Sequence, residues 1–126
     1  MVERKLIANI WKSPTGEILQ SKHRHDFVSD SAGNYIDGGI ESYTRMGGSL
    51  VGWQDLCVYS DDPHEKQREA FRWGTRGSTG NDPIKWIAPM FMTEEHIEAI
   101  LLTQTQIPEH IRELFEKELE YRKEIK

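Results

Sequence analysis

The chain has 126 residues and a formal charge of −5, with 37% hydrophobic and 29% charged residues. This length suits one domain, and the apolar content is too high for a disordered chain. The acidic balance argues against duplex nucleic acid binding, because such binding draws on a surplus of basic residues.

The N-terminal half is predicted to form short antiparallel strands. Apolar residues alternate loosely over the first of them, and turn signals follow at Ser13-Pro14-Thr15-Gly16 and at residues 30–34, so residues 1–37 are predicted to form a β meander. Residues 40–46, bracketed by Gly38-Gly39 and Gly47-Gly48, stay unassigned. The predicted strands are residues 5–11, 17–20, 35–36 and 56–59.

The sole cysteine, Cys57, falls in the last of these strands and excludes an internal disulfide or a zinc site built from several cysteines of one chain. With apolar neighbours and no adjacent activating group, it is interpreted as a small core residue rather than a nucleophile.

Helix signals dominate the second half. Asp62 is a candidate N-cap, Pro63 fits the first helical position and Glu65 follows the cap by three residues, as in a capping box. This helix is predicted to extend to Trp73 and to end at Gly74.

A glycine-rich loop is predicted over residues 75–83 and a strand over 84–87, before two further helices. Thr93 is the predicted cap of the first, and Pro108 opens the second, which carries an apolar stripe of Ile111, Leu114, Phe115 and Leu119. The fold class is therefore predicted to be α+β: a single domain over residues 1–126, β-rich over 5–60 and helical over 62–126.

Two polar segments, residues 21–39 and 72–80, gather basic, aromatic and glycine residues in the acidic chain. Arginines in such segments can meet phosphates, an aromatic ring can stack on a planar group, and glycine pairs can turn backbone N–H groups toward an anion. The simpler interpretation of the second segment is a helix C-cap with a core tryptophan. The candidate ligand-binding residues are Lys22, His23, Arg24, His25, Tyr43, Arg45, Arg72, Trp73 and Arg76.

A metal site is an alternative interpretation of the first segment. If that segment is extended, His23 and His25 point to the same face, which suits zinc or another divalent ion in a metal-dependent hydrolase. The candidate ligands are His23, His25, Asp26, Asp37 and His64. No complete catalytic or P-loop motif accompanies them, so binding without catalysis and without a cofactor is favoured.

A set of short motifs lies between residues 16 and 101: residues 22–28, Asp37-Gly38-Gly39, Tyr43-x-Arg45, residues 61–65, Arg68-Glu69, Trp73-Gly74-Thr75, Gly77, Gly80, Pro83, Lys85-Trp86 and residues 92–101. Together these motifs resemble a family of small proteins encoded by tailed bacteriophages and prophages. Some relatives carry cysteine pairs around the Arg24-His25-Asp26-Phe27 segment, as in a small zinc ribbon, whereas this chain has other residues there.

The resemblance implies a phage accessory protein for host takeover or counter-defence, and the basic segments favour a small anionic, nucleotide-like ligand. The alternative is an inhibitor or adaptor that contacts one host protein through the helix at residues 63–73, with Arg68 and Arg72, or through the last helix. A homo-oligomer is a further option. The apolar stretch after residues 1–5 is too short for a signal peptide or a membrane span, so a cytoplasmic location and no membrane partner are expected.

Overall fold

The fold is described by a computed structural model that covers residues 4–41, 43–76 and 81–124. The chain divides into two compact units, with the boundary between Tyr59 and Ser60. Antiparallel strands form the first unit and three α-helices follow in the second, so the predicted α+β class is confirmed. The boundary coincides with the predicted change from β-rich to helical sequence, while the assignment to one domain stays a prediction.

The first unit contains short strands arranged in two sheets. In one sheet β1 pairs with β2, β6 and β7, and in the other β3, β4 and β5 follow one another as a meander, with every pairing antiparallel. The strands within the described residues are β1 (Leu6–Lys12), β2 (Ile18–Ser21), β3 (Val28–Ser29), β4 (Tyr35–Asp37), β5 (Arg45–Gly47), β6 (Gln54–Asp55) and β7 (Val58–Tyr59).

Two details of the first unit differ from the sequence expectation. Of the unassigned residues 40–46, Ile40 and Glu41 lie in a turn and Arg45 and Met46 belong to β5, while Ser42 lies outside the described residues. The strand predicted over 56–59 is reduced to β7. Cys57 therefore lies between two strands rather than within one, half-buried. The core is formed by buried apolar side chains at Ile7, Ala8, Leu19, Ile36 and Val58.

Hydrogen bonds join the turn at the end of β1 to the turn before β4, and we call this contact the turn clamp: Thr15, Glu17, Asp30 and Ser31. The Thr15 hydroxyl lies 2.6 Å from Glu17 Oε2 and 3.1 Å from Asp30 Oδ2, so its one proton is shared between the two carboxylates. Both N and Oγ of Ser31 donate to Glu17 Oε2, at 2.9 and 3.0 Å. Desolvation opposes the ionisation of Asp30, but the hydrogen bonds that its carboxylate accepts hold the pKa below its usual value. Hydrogen bonds from Thr15 and Ser31 likewise lower the pKa of Glu17.

The second unit combines a two-stranded hairpin with helices. Its β8 and β9 pair antiparallel, with Trp73 opposite Ile87. The strand predicted over 84–87 is confirmed, whereas β8 falls where the predicted helix ended and the predicted loop began. The elements are α1 (His64–Ala70), β8 (Trp73–Thr75), β9 (Lys85–Ile87), a 3₁₀ helix (Pro89–Phe91), α2 (Glu94–Thr103) and α3 (Glu109–Glu124).

The prediction for the first helix was wrong at both ends. Pro63 is the N-cap residue of α1 rather than Asp62, and the helix ends at Ala70 instead of Trp73. Phe71 takes an extended conformation, and both Phe71 and Trp73 then pack edge-on against Phe115, with ring centroids 6.0 and 5.5 Å away. Burial of two aromatic rings outweighs the gain from one more helical turn.

The other two helices follow their sequence signals. Thr93 caps α2 by accepting a hydrogen bond from His96 N at 3.1 Å, as predicted. The buried face of α3 contains the predicted Ile111, Leu114 and Phe115, but its next buried position is Glu118 rather than Leu119. None of the helices in the described part of the chain has the length and apolar character needed to cross a membrane.

Candidate functional site

The segment from His23 to Asp26 is a tight turn and not an extended strand. Asp26 N donates to the His23 carbonyl at 2.9 Å, and Asp26 Oδ2 accepts from Lys22 N at 2.8 Å. The expectation that His23 and His25 share one face of a strand was therefore wrong. The His23 ring is used locally, since its Nδ1 accepts from His25 N at 3.3 Å.

Gly38 and Gly39 bring this turn close to the segment that begins at Tyr43. Both glycines have positive φ, 106° and 57°. A Cβ on Gly39 would collide with the His23 backbone, and a Cβ on Gly38 would collide with the Tyr43 carbonyl. Gly39 N donates to Ser21 Oγ at 2.9 Å, so this N–H serves the protein instead of the predicted anion nest. The glycine pair thus acts by permitting close approach.

Four of the predicted ligand-binding residues line one cleft of about 400 Å³ on the first unit: Arg24, His25, Tyr43 and Arg45. We call it the cationic cleft. Arg24 and His25 are exposed on the turn, and Tyr43 is 90% exposed. The cleft therefore presents two guanidinium groups, an imidazole and an open phenol ring to solvent.

Arg45 is oriented by a carboxylate on the neighbouring strand. Its Nε donates to Asp37 Oδ1 at 2.8 Å, across the register position where β4 and β5 pair these two residues. The hydrogen bond to Asp37 raises the pKa of Arg45. The contact uses Nε, and the two terminal amino groups carry the further N–H donors with which an arginine can hold a phosphate.

The remaining predicted ligand residues lie outside this cleft. Lys22 and His23 are half-buried beside the turn. The second segment belongs to the other unit, where Arg72 Nη1 donates to three backbone carbonyls at the end of α1 and Trp73 packs on Phe115. Those contacts match the simpler interpretation, a helix cap with a core tryptophan. The exposed Arg76 precedes Gly77–Gly80, which lie outside the described residues.

The metal alternative gains no support from the geometry. Within residues 4–41, 43–76 and 81–124, no cluster of three His, Cys, Asp or Glu side chains could hold a metal ion. Asp37 pairs with Arg45, and His64, which belongs to the second unit, contacts Glu118.

Sequence reasoning missed a buried charged group in the second unit, which we call the Glu118 cluster: Glu118, His64, Arg68 and Arg122. Glu118 is 0% exposed. Its Oε1 accepts from Arg68 Nε at 2.7 Å and contacts His64 Nε2 at 2.9 Å. Its Oε2 accepts from Arg68 Nη2 at 2.9 Å and from Arg122 Nε at 2.8 Å. The signal was present, because the 3.6-residue period that buries Ile111 and Phe115 also buries position 118.

The Glu118 cluster is a structural cross-link between helices. Burial alone would raise the pKa of Glu118, but the hydrogen bonds from Arg68, Arg122 and His64 outweigh it and lower this pKa to about 2. A carboxylate so fully bonded is a poor general base. Arg68 is also bonded here and Arg72 donates to carbonyls at the end of α1, so both side chains already have partners within the second unit. The adaptor alternative, through the helix at residues 63–73 or through the last helix, stays a prediction.

Cys57 gives a prediction of its own. Burial raises the pKa of its thiol to about 12, and the thiolate is the reactive form. At pH 8 we expect iodoacetamide to label the native chain at least tenfold more slowly than the urea-unfolded chain. Mass spectrometry of the time course measures both rates, and equal rates would show a reactive thiol in the folded protein.

No family model, curated protein or solved structure matches this chain. The site itself must therefore indicate the function.

Proposed function

We propose that the protein binds a small anionic, nucleotide-like ligand at the cationic cleft and acts by capture rather than by catalysis. The observation that carries the proposal is the convergence of Arg24, His25, Tyr43 and Arg45 on one cleft from two separate stretches of the chain. These residue types supply what a nucleotide needs, namely positive donors for phosphate and a ring for the base.

Each residue has a distinct part in this proposal. Arg45, held by Asp37 at 2.8 Å, offers its terminal amino groups to a phosphate in a fixed orientation. Arg24 and His25 are exposed and line the same cleft, where Arg24 adds positive charge and both side chains add hydrogen-bond donors. Tyr43, 90% exposed, is the stacking surface. A bound ligand would cover this ring.

The resemblance to phage-encoded proteins supports a biological setting for such capture. In that setting we propose an accessory protein that sequesters a nucleotide signal of host defence, in the host cytosol. Sequestration requires affinity and no turnover, in keeping with a cleft that presents cationic and aromatic side chains without a recognisable catalytic set.

The cleft can be tested by isothermal titration calorimetry against cyclic and ADP-ribose-type nucleotides. Arg24→Ala and Tyr43→Ala are each expected to weaken binding about tenfold, because each removes a charged hydrogen bond or a stacking contact. Both side chains are exposed, so the thermal unfolding midpoint should stay the same.

The matched control is Arg76→Ala, which removes an exposed arginine of the second unit. It should leave nucleotide affinity unchanged. If the folded parent chain binds none of these nucleotides, the proposal is wrong.

A further inference from the structure

The cationic cleft adjoins one face of the β3–β4–β5 sheet. Side chains alternate along a strand, and Ile36 in the centre of β4 is 0% exposed, so Tyr35 and Asp37 point to the opposite face. The register places Gly47 opposite Tyr35 and Arg45 opposite Asp37. One sheet face thus carries an aromatic ring and an arginine side by side.

An aromatic stack covers this face. The ring of Phe27, just before β3, lies on the ring of Tyr35, with centroids 4.7 Å apart and planes 28° apart. Tyr35 in turn covers Gly47, where a Cβ would collide with the tyrosine ring. Phe27 nevertheless remains 59% exposed. Because Tyr35 supports one face of the Phe27 ring and the ring remains largely exposed, another planar group can stack on Phe27.

Arg45 links this stack to the cationic cleft. It lines the cleft together with Tyr43, and it shares the sheet face with Tyr35, whose phenol is close enough to contribute electrostatically to the raised pKa of Arg45. Two exposed aromatic side chains therefore adjoin Arg45: Tyr43, which lines the same cleft, and Phe27, which stacks on Tyr35 of the same sheet face. Arg24 and His25 line the cleft as well.

We infer that the site takes a short single-stranded oligonucleotide, with one base stacked on Tyr43, the next on Phe27 and the intervening phosphate at Arg45. This inference rests on the proposed nucleotide-binding function and extends it to a substrate class. Unpaired bases are required, because paired bases keep their faces inside the duplex. With few cations at the site, affinity depends on stacking more than on counterion release, so its salt dependence should be shallow.

The test is calorimetry of the full chain with thymidine monophosphate, dT4 and rU4. We expect dT4 or rU4 to bind at least tenfold more tightly than the mononucleotide, as one added stacking contact gives. Phe27→Ala should abolish this gain and leave mononucleotide affinity unchanged, whereas Tyr43→Ala should weaken both. Phe91→Ala, at a phenylalanine of the second unit that is 72% exposed, is the matched control and should change neither.

The outcomes separate the two proposals. Equal affinity for mononucleotide and tetranucleotide overturns the oligonucleotide inference and leaves the nucleotide proposal standing. Binding of tripolyphosphate or of a duplex as tight as that of dT4 also overturns it, because charge alone would then explain the affinity. Failure to bind any of these ligands removes both proposals.

Discussion

Replacing Glu118 with glutamine is expected to destabilise the chain by about 3–5 kcal/mol, the usual effect of removing one partner from a buried ion pair. Glu118 is 0% exposed and accepts hydrogen bonds from Arg68 and Arg122. Its neutral replacement removes the buried carboxylate that binds the guanidinium groups of Arg68 and Arg122. Urea unfolding of parent and variant measures the difference in unfolding free energy.

The matched control is Glu120→Gln, two residues further along α3. The Glu120 side chain is 71% exposed and its contact with Lys123 is 4.0 Å long. The control should therefore stay within about 0.5 kcal/mol of the parent. If Glu118→Gln lowers the unfolding free energy by less than about 1 kcal/mol, Glu118 does not hold the Glu118 cluster together.

The same substitution has a defined pH dependence. The pKa of Glu118 is lowered in the fold, from 4.5 to about 2, so in this range the unfolded chain takes up the proton first. Its contribution to stability is complete above pH 4.5 and is lost as the pH falls toward 2. Unfolding free energies of parent and Glu118→Gln should therefore converge in acid, and a constant difference down to pH 2 would show that the charge is not responsible.

Gly39→Ala is expected to destabilise the first unit by about 3–5 kcal/mol and to abolish nucleotide binding. Backbone strain at positive φ and overpacking are each worth about 1–3 kcal/mol, so together they span about 2–6 kcal/mol, and the expected loss lies in the middle of that range. Gly39 has φ of 57°, and the obstacle to a methyl group is the His23 backbone, which cannot move without the turn that carries Arg24. Thermal unfolding and nucleotide calorimetry measure the two effects.

Gly33→Ala separates strain from collision. Gly33 also has positive φ, 87°, but a Cβ there meets nothing within 4 Å. It should lose only about 1–2 kcal/mol and keep its nucleotide affinity. Equal losses for the two variants would show that the close approach of Gly39 to His23 has no energetic role.

Local signals predicted the parts of the fold that local interactions decide. The Thr93 cap, the strands at both ends of the Ser13–Gly16 turn and the apolar face of α3 need only neighbouring residues. The end of α1 was missed because Phe71 and Trp73 leave the helix and pack on Phe115, a residue far along the chain. This packing stabilises the fold more than another helical turn would. Burial of Glu118 was missed because hydropathy places a carboxylate in solvent. In the fold, His64, Arg68 and Arg122 contact this carboxylate and replace the water that it loses.

Residue types predicted the four residues that line the cationic cleft, but they could not show which of the nine candidates lie together. Arg24, His25, Tyr43 and Arg45 were predicted from charge and aromaticity. Their convergence depends on Gly38 and Gly39, whose positive φ and missing side chains were visible only as a turn signal. Phe27 was overlooked, because a phenylalanine is expected in the core. Its stacking on Tyr35 and its 59% exposure are visible only in the structure.

The turn clamp has a consequence for how the first unit responds to its surroundings. Its acceptors are the carboxylates of Asp30 and Glu17, both with lowered pKa values. Acid neutralises these carboxylates and so releases the two turns from each other. Proton concentration therefore sets the strength of this connection.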